Sequence, residues 1–567
     1  MTREILDPAF KISLRQWLTS RRWFAGKARA IVRIDPADTL PLPLPGAGLM
    51  LIRVEYTFGP GELYQLMYVW RRGEAADRLA AEHPEAVVHR VEQGAGEPTS
   101  LLAEALADRD FSAGLLELMS GNRKSTGPAE LPPVIRGLGR PAGMIAAASV
   151  PELSEVMKAG TANLAPTPLS ADQSNSCVVF GRELFLKLFR KLVPGVNPEL
   201  EIGRFLAASG SFSHTPALCG SLEYKSTQSE SEPLTLGLLQ RFTPGKSAWQ
   251  TTLDQLAVYF GRIAQLLPED RPSANNTFEP THEQAAASEK GLENVSPWKM
   301  AGRRPIVAAE PLVGDELRKM ALLGRRTAEL HLALASDTEQ ARFVPEPFTE
   351  KQQQSLRWSM RDLASRTCEL LRQRLPQVPA DVQPAARQVL SQEARLLARF
   401  DEIVVEPIDG KRIRCHGDYH LGQVLDLGDD FMIIDFEGEP ARSLEERRAK
   451  RSPLFDVAGM IRSLHYASSQ GLFQQLRSNE QPAMEPNALR EAAACWYRWS
   501  LSAFLGAYRS TAATGSFLPR SATICDRVLG LFVLEKAVYE LAYELNNRPD
   551  WVEVPLSGLL ELLGPSR

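Results

Sequence analysis

Two short stretches, Arg414-Cys-His-Gly-Asp-Tyr-His420 and Ile434-Asp-Phe-Glu-Gly-Glu-Pro440, decide the reading of this chain. Asp418 follows a glycine in a polar turn, and Gln423 stands five residues later, ahead of the apolar pair Val424-Leu425. Asp435 comes seventeen residues after Asp418 and ends the apolar run Phe431-Met-Ile-Ile434. Gly428-Asp-Asp430 between the two runs predicts a hairpin. A hairpin returns its two ends to one place, so Asp418, Gln423 and Asp435 are expected to converge.

That trio suits phosphoryl transfer. The reaction needs a carboxylate to orient an acceptor hydroxyl and take its proton, together with hard oxygen ligands for Mg²⁺ at the phosphates. Asp418 fits the first role, and Asp435 with the amide oxygen of Gln423 fits the second. Any one of them alone reads as a turn-capping residue; the ordered set is what points to chemistry. Zinc is the competing reading of His416 and His420, but no histidine or cysteine cluster nearby completes a ligand set.

His416-Gly-Asp-x-x-x-x-Gln423 followed by Ile434-Asp435 resembles the aminoglycoside-phosphotransferase-like branch of the protein-kinase fold, with Gln in place of the usual metal-binding Asn. The longer stretches Asp435-Phe-Glu-Gly-Glu-Pro440 and Glu446-Arg-Arg-Ala-Lys-Arg-Ser-Pro-Leu-Phe-Asp-Val-Ala-Gly459 resemble the maltokinase family specifically. So do Arg22-Trp-Phe-Ala-Gly-Lys27 near the start and Val533 to Trp551 near the end. The resemblance implies an enzyme that makes maltose 1-phosphate from ATP and maltose with Mg²⁺. Trehalose synthase, to which such kinases are also found fused, is the implied macromolecular partner.

The implied fold is α+β and bilobal, protein-kinase-like, with an N-terminal α+β cap domain at 1–130, an N-lobe at 131–245 and a mostly helical C-lobe at 246–567. A kinase lobe needs a strand lysine paired with a helix glutamate to grip phosphates. Leu184-Phe-Leu-Lys-Leu-Phe189 supplies Lys187, an amine costly to bury among Leu and Phe without an anion. Asn197-Pro198 opens the next helix as N-cap and first residue, and Glu201 is the expected partner over Glu199. No Gly-x-Gly-x-x-Gly precedes Lys187; Gln173, Ser174 and Ser176 are expected to cover the phosphates instead. Gln240 to Phe242 is the expected adenine-binding hinge. Gly245-Lys-Ser247 is no P-loop, because position 240 holds Gln where that motif needs Gly.

For the acceptor, His420, Glu437, Glu439, Arg448, Lys450 and Tyr539 are the candidate polar contacts, with Tyr543 and Trp551 as candidate rings. Each also has an ordinary reading as a solvated charge or a packing ring. In related kinases an aspartate after the metal loop braces the catalytic turn; Asp456 takes that role here, beside His416.

Composition bounds the rest. The chain has 567 residues, 44% hydrophobic and 24% charged, as in soluble proteins of two or three domains. A net charge of −4 gives no electrostatic case for nucleic acid or an anionic membrane. The first residues lack an apolar core, and no run approaches the about eighteen apolar residues of a membrane helix, so the expected location is cytoplasmic. Six scattered cysteines without a Cys-x-x-Cys pair suggest neither a disulfide framework nor zinc. Short strands at Leu49–Tyr56 and Leu63–Trp70 and a helix at 101–108 are expected in the cap. Long helices are expected at 316–334, 350–374, 385–400, 487–511 and 522–546, after a polar segment at 266–310 whose role the sequence leaves open. Two readings compete with a maltose kinase: a kinase for another small sugar or aminoglycoside such as glucosamine, and a non-catalytic subunit that binds trehalose synthase.

Overall fold

The computed structural model describes residues 7–564 except 92–97, 122–131, 133–134, 136–142, 159, 161–162, 170–174, 228–231, 274–276, 280–295, 338 and 478–483. The chain forms two compact units, Met1–Pro244 and Gly245–Arg567.

The first unit is built on two antiparallel sheets. One takes β1 (Ile31–Pro41), β2 (Ala47–Tyr56), β3 (Glu62–Arg72), β4 (Val87–Val91) and β5 (Ser100–Glu104) in the order β1-β2-β3-β5-β4. The other takes β6 (Gly143–Ser149), β7 (Pro166–Leu169), β8 (Ser176–Phe180), β9 (Leu184–Leu188), β11 (Leu218–Ser226) and β12 (Leu234–Arg241) in the order β6-β11-β12-β9-β8-β7. The two-residue β10 (Lys191–Leu192) leaves the second sheet's chain to pair with β3. Gln65 of β3 locks this junction, donating through Nε2 to Phe189 O at 2.6 Å and Leu236 O at 2.5 Å. One apolar core joins the sheets, with Leu49, Leu51 and Met67 packed in the same cluster as Val178, Leu186 and Leu238. A second cluster lies under the helix Pro8–Ser20, whose Phe10, Leu14, Trp17 and Leu18 are buried, as their helical spacing predicts.

Of the helix expected at 101–108, residues 101–104 are strand and only Ala105–Ala107 are helical, as a short 3-10 turn ahead of the helix Arg109–Met119. β5 lies between β3 and β4, with Leu101, Leu102 and Ala103 fully buried. A strand covered on both faces reads as a continuous apolar run, which periodicity cannot separate from a buried helix.

The second unit is mostly helical. Its long helices are Ala248–Ala264, Glu310–Leu334, Glu350–Arg374, Leu454–Arg477, Pro486–Ala512 and Ala522–Asn547. The expected helix at 385–400 is two, Gln383–Ser391 and Glu393–Asp401, with the break at Gln392 (φ −100°, ψ 12°). Its described residues also form the short strands β13 (Lys246–Ser247), β14 (Glu346–Pro347), β15 (Lys411–Arg412), β16 (Val424–Asp426) and β17 (Phe431–Ile433). β16 and β17 form the expected hairpin, with Val424 opposite Ile433 and Gly428 at φ +100° in the turn. No described helix is long and apolar enough to cross a membrane.

Candidate active site

The loop between β15 and β16 presents Asp418, and a buried carboxylate holds it in place. Asp456, in the first turn of the helix Leu454–Arg477, accepts from His416 N at 2.8 Å through Oδ2 and from Gly417 N at 2.9 Å through Oδ1. His331 Nε2, from the helix Glu310–Leu334, lies 3.1 Å from the same Oδ2, and its Nδ1 lies 3.0 Å from Tyr508 Oη. Burial alone would raise the Asp456 carboxyl, but the His331 hydrogen bond and charge, with His416 and the Gly417 N–H, outweigh it and hold the group below its ordinary value. Gly417, at φ +86°, makes the turn that exposes Asp418.

The loop also rests on that helix's backbone. A Cβ on Gly459 would lie 2.5 Å from Tyr419 O, so only glycine lets the helix come this close. Gly459→Ala is therefore expected to lower stability by about 1–3 kcal/mol, read by urea unfolding, and to lower turnover because the strain falls one residue from Asp418. Unchanged stability and turnover would show that the loop yields freely.

His416 ties the loop of Asp418 to the segment of Asp435. Its Nδ1 accepts from Asp418 N at 3.4 Å, its Nε2 donates to Ile434 O at 2.9 Å, and its ring packs 4.9 Å from Phe436. Next to Ile434, Asp435 sits at φ +65°, the one described non-glycine residue in the left-handed region. Such strain persists only where surroundings enforce it, and it commonly marks functional loops. Gln423 Nε2 lies 3.1 Å from Asp435 Oδ2, and Ile434 N donates to Gln423 O at 3.0 Å. The hairpin is clamped from the helix Glu310–Leu334: Lys319 Nζ meets Asp426 Oδ2 at 2.9 Å, and Arg326 takes Asp430 through two bonds of 2.8 and 2.7 Å.

The donor set fits Mg²⁺. Gln423 and Asp435 already touch, both carry hard oxygens, and turning the Gln423 amide over presents Oε1 where Nε2 now faces the carboxylate. These two residues would hold the ion.

A second group of side chains surrounds Asp418. Lys536, from the helix Ala522–Asn547, places Nζ 3.6 Å from Asp418 Oδ1 and 3.6 Å from Glu439 Oε2. Tyr539, one turn on, donates to Glu439 Oε1 at 2.7 Å, and Lys536 Nζ stands 4.9 Å from the Tyr539 ring centre. Burial opposes the Lys536 charge, yet Asp418, Glu439 and Glu540 outweigh it and keep the ammonium above its ordinary value. His420 Nε2 lies 4.0 Å from Asp418 Oδ2, and burial lowers the imidazole despite that carboxylate.

The acceptor candidates thus divide. Glu439, Tyr539 and His420 gather at Asp418. Glu437 offers its carbonyl to Arg447 Nη1 at 3.2 Å, and the Arg448 carbonyl accepts from the buried Arg414. Lys450 points elsewhere: its Nζ donates to Ala341 O, Val344 O and Glu346 Oε1 at 2.6 to 2.7 Å, which engages all three ammonium donors. Its role is to pin the segment before β14. Trp551 stacks on Tyr466 at 6.3 Å and 9°, while Tyr543 is exposed, with Arg548 against both Tyr543 and Trp551.

Lys536 was not singled out by the sequence reading. Its signal was available, a lysine inside Leu534-Glu-Lys-Ala-Val538 where the flanking positions are core. A lone lysine on a long helix is ordinarily solvated, however, and nothing local names its partner.

In the first unit, Lys187 lies in β9 between Leu238 of β12 and Cys177 of β8. Its Nζ meets Glu199 Oε2 at 2.8 Å, both side chains being buried, so Glu199, which the sequence ranked behind Glu201, forms an ion pair with the strand lysine. Asn197 caps the helix Pro198–Ser209 by accepting from Glu199 N at 2.8 Å, which fixes the first turn. Glu201 lies about 200° further round the helix, so the two carboxylates leave it in opposite directions. Ser176 opens β8 and its Oγ accepts from Arg190 Nε at 2.7 Å; Gln173 and Ser174 fall outside the described residues. Gln240 is within β12, buried and paired with Phe185 and Leu218, and Phe242 N donates to Glu183 O at 2.8 Å. That N–H is therefore engaged within the unit, and an adenine contact at Phe242 would fall to its carbonyl.

Comparison with known proteins gives two matches along the chain. Residues 17–108 match the maltokinase N-terminal cap domain, and residues 166–439 match the phosphotransferase enzyme family. A glucosamine kinase of Streptacidiphilus jiangxiensis is 27% identical over 270 residues, 47% of this chain and 54% of that protein. A glucosamine kinase of Mycolicibacterium smegmatis is 29% identical over 148 residues, 26% of this chain and 34% of that protein. The chain thus aligns with about half or less of the length of these curated relatives. Among solved structures, a glucosamine kinase in complex with glucosamine, ADP and inorganic phosphate superposes with a TM-score of 0.57 at 18% identity, covering 97% of this chain and 99% of that one. Crystal form A of a glucosamine kinase gives 0.55, also at 18%, over 94% and 92%. At that identity the likeness is one of fold, a kinase-like fold behind an N-terminal cap. One chain thus carries both matches, a segment similar to the maltokinase N-terminal cap domain followed by a segment similar to the phosphotransferase enzyme family.

Proposed function

We propose that the chain is an ATP-dependent kinase that phosphorylates maltose at its anomeric hydroxyl, giving maltose 1-phosphate. The observation that carries the chemistry is Asp418, held by the Asp456 bonds beside the Gln423–Asp435 pair. The hydroxyl oxygen attacks the γ-phosphorus in line, the bond from that phosphorus to the β,γ-bridging oxygen breaks, and ADP leaves. Asp418 takes the hydroxyl proton. Mg²⁺, held by Gln423 and Asp435, would neutralise charge on the phosphate oxygens. Lys187, fixed by Glu199, is the group for the α and β phosphates, under cover of the segment that ends at Ser176. Residues 1–130 are taken as the cap, 131–245 as the lobe of the lysine and 246–567 as the lobe of the catalytic loops.

Maltose is favoured as acceptor by the cap match and by the stretches around Asp435 and Glu446. Glucosamine is the second reading, because the curated relatives bear that name. Such a kinase would serve trehalose and α-glucan metabolism, with trehalose synthase as a candidate partner. Purified protein with ATP, Mg²⁺ and a panel of maltose, glucose, glucosamine and an aminoglycoside, followed by ADP release, separates the readings. Phosphorus NMR of the maltose product should show a sugar 1-phosphate. No ADP release with any acceptor would leave only the non-catalytic reading.

A further inference from the structure

Lys536 occupies an unusual position for a lysine. It lies on a helix whose neighbouring Leu534, Ala537, Val538 and Leu541 are core, with a side chain 20% exposed, and its ammonium bridges Asp418 and Glu439. The third carboxylate that faces it, Glu540, is already taken by Arg462 at 2.8 and 2.9 Å. Glu439 is further engaged by Tyr539. Arg442 adds a second positive charge whose field reaches both Lys536 and Tyr539.

Carboxylates at a sugar site would ordinarily attract a protonated amine. Here Asp418 and Glu439 already share one fixed ammonium, with the Arg442 charge within reach, so an acceptor's own ammonium would have to compete with Lys536 for the same two carboxylates. We infer that Lys536 is a specificity-determining residue that favours neutral hydroxylated acceptors and excludes those carrying an ammonium group. An amino sugar brought to Asp418 would set its ammonium a few ångströms from that of Lys536, in a partly desolvated place where like charges repel strongly. A neutral sugar meets no such penalty and can use the ammonium as a hydrogen-bond donor. The inference rests on the reading of the protein as a kinase of neutral sugars, and it adds the reason for that choice.

Steady-state kcat/KM on the full chain tests it, with glucose and glucosamine as a pair differing by one charged group, N-acetylglucosamine as the uncharged bulky control, and maltose. Lys536→Met is expected to lower the glucose-to-glucosamine ratio by about tenfold or more, equivalent to about 1.4 kcal/mol. Lys536→Arg should keep the ratio, and N-acetylglucosamine should gain nothing in Lys536→Met. A ratio unchanged in Lys536→Met, or an equal gain by N-acetylglucosamine, would overturn the charge argument while leaving the kinase reading intact. Wild-type preference for glucosamine over every neutral sugar would overturn the neutral-sugar reading itself and the inference with it. Should Lys536→Met fail to fold, the wild type alone decides: raising the pH through the titration of glucosamine's own amine should lower the glucose-to-glucosamine ratio. A ratio flat with pH would refute exclusion by charge.

Discussion

Asp418→Asn is expected to lower kcat by about 10²–10⁴-fold, the range for loss of a positioned general base. The change keeps shape and removes the group's capacity to take a proton, together with the negative charge that meets Lys536. Its backbone anchors are untouched, because the loop's hydrogen bonds run through His416 N, Gly417 N and Leu421 N. Nucleotide affinity, measured by calorimetry with a non-hydrolysable analogue, should therefore survive, and the loss should persist in single turnover. A turn-capping role predicts the reverse pattern, lowered stability with kcat preserved. Retained turnover in Asp418→Asn would remove the residue from the chemistry and with it the proposed mechanism.

Asp456→Ala is expected to cost about 3–5 kcal/mol of stability, the range for breaking one side of a buried charged network. The substitution leaves two backbone N–H groups and one face of His331 without an acceptor in a site that excludes water. Asp456→Asn should recover part of this, since one amide oxygen can serve one of the two N–H groups. The pH dependence has a definite sign. A carboxyl depressed in the folded state contributes stability that is present above its unfolded value, near 3.9, and lost as pH falls through the folded value. Urea unfolding of wild type and Asp456→Ala should thus differ most from neutral pH down to about 5, and converge in acid. Because the carboxylate places Asp418, the variant should lose kcat more than KM. Equal loss in both, or a stability gap that widens in acid, would contradict this.

The local parts of the site were legible because each is written within a few residues. The hairpin at Gly428, the Asn197 cap and the strand around Lys187 depend on turn chemistry and periodicity, which act at short range. The spacing of Asp418, Gln423 and Asp435 belongs with them, since the hairpin that joins the loops lies between them. Errors arose where two local solutions fit one pattern. The run at residues 101–104 is apolar throughout, and strand won because β3 and β4 flank it. Glu199 and Glu201 are both in the first helical turn, and the structure brings Glu199, whose N–H the Asn197 cap holds, to Lys187.

By itself the sequence determined the hairpin that joins the loops of Asp418 and Asp435 and the strand that carries Lys187, because those patterns need only neighbouring residues to form. Only tertiary structure could decide that Lys536 reaches Asp418, that Lys450 is spent on carbonyls near β14, and that His331 braces Asp456. The physical reason is common to all three. An ion pair or hydrogen bond between distant segments depends on which face of one helix the packing of others turns inward, and that rotation is set by the whole core.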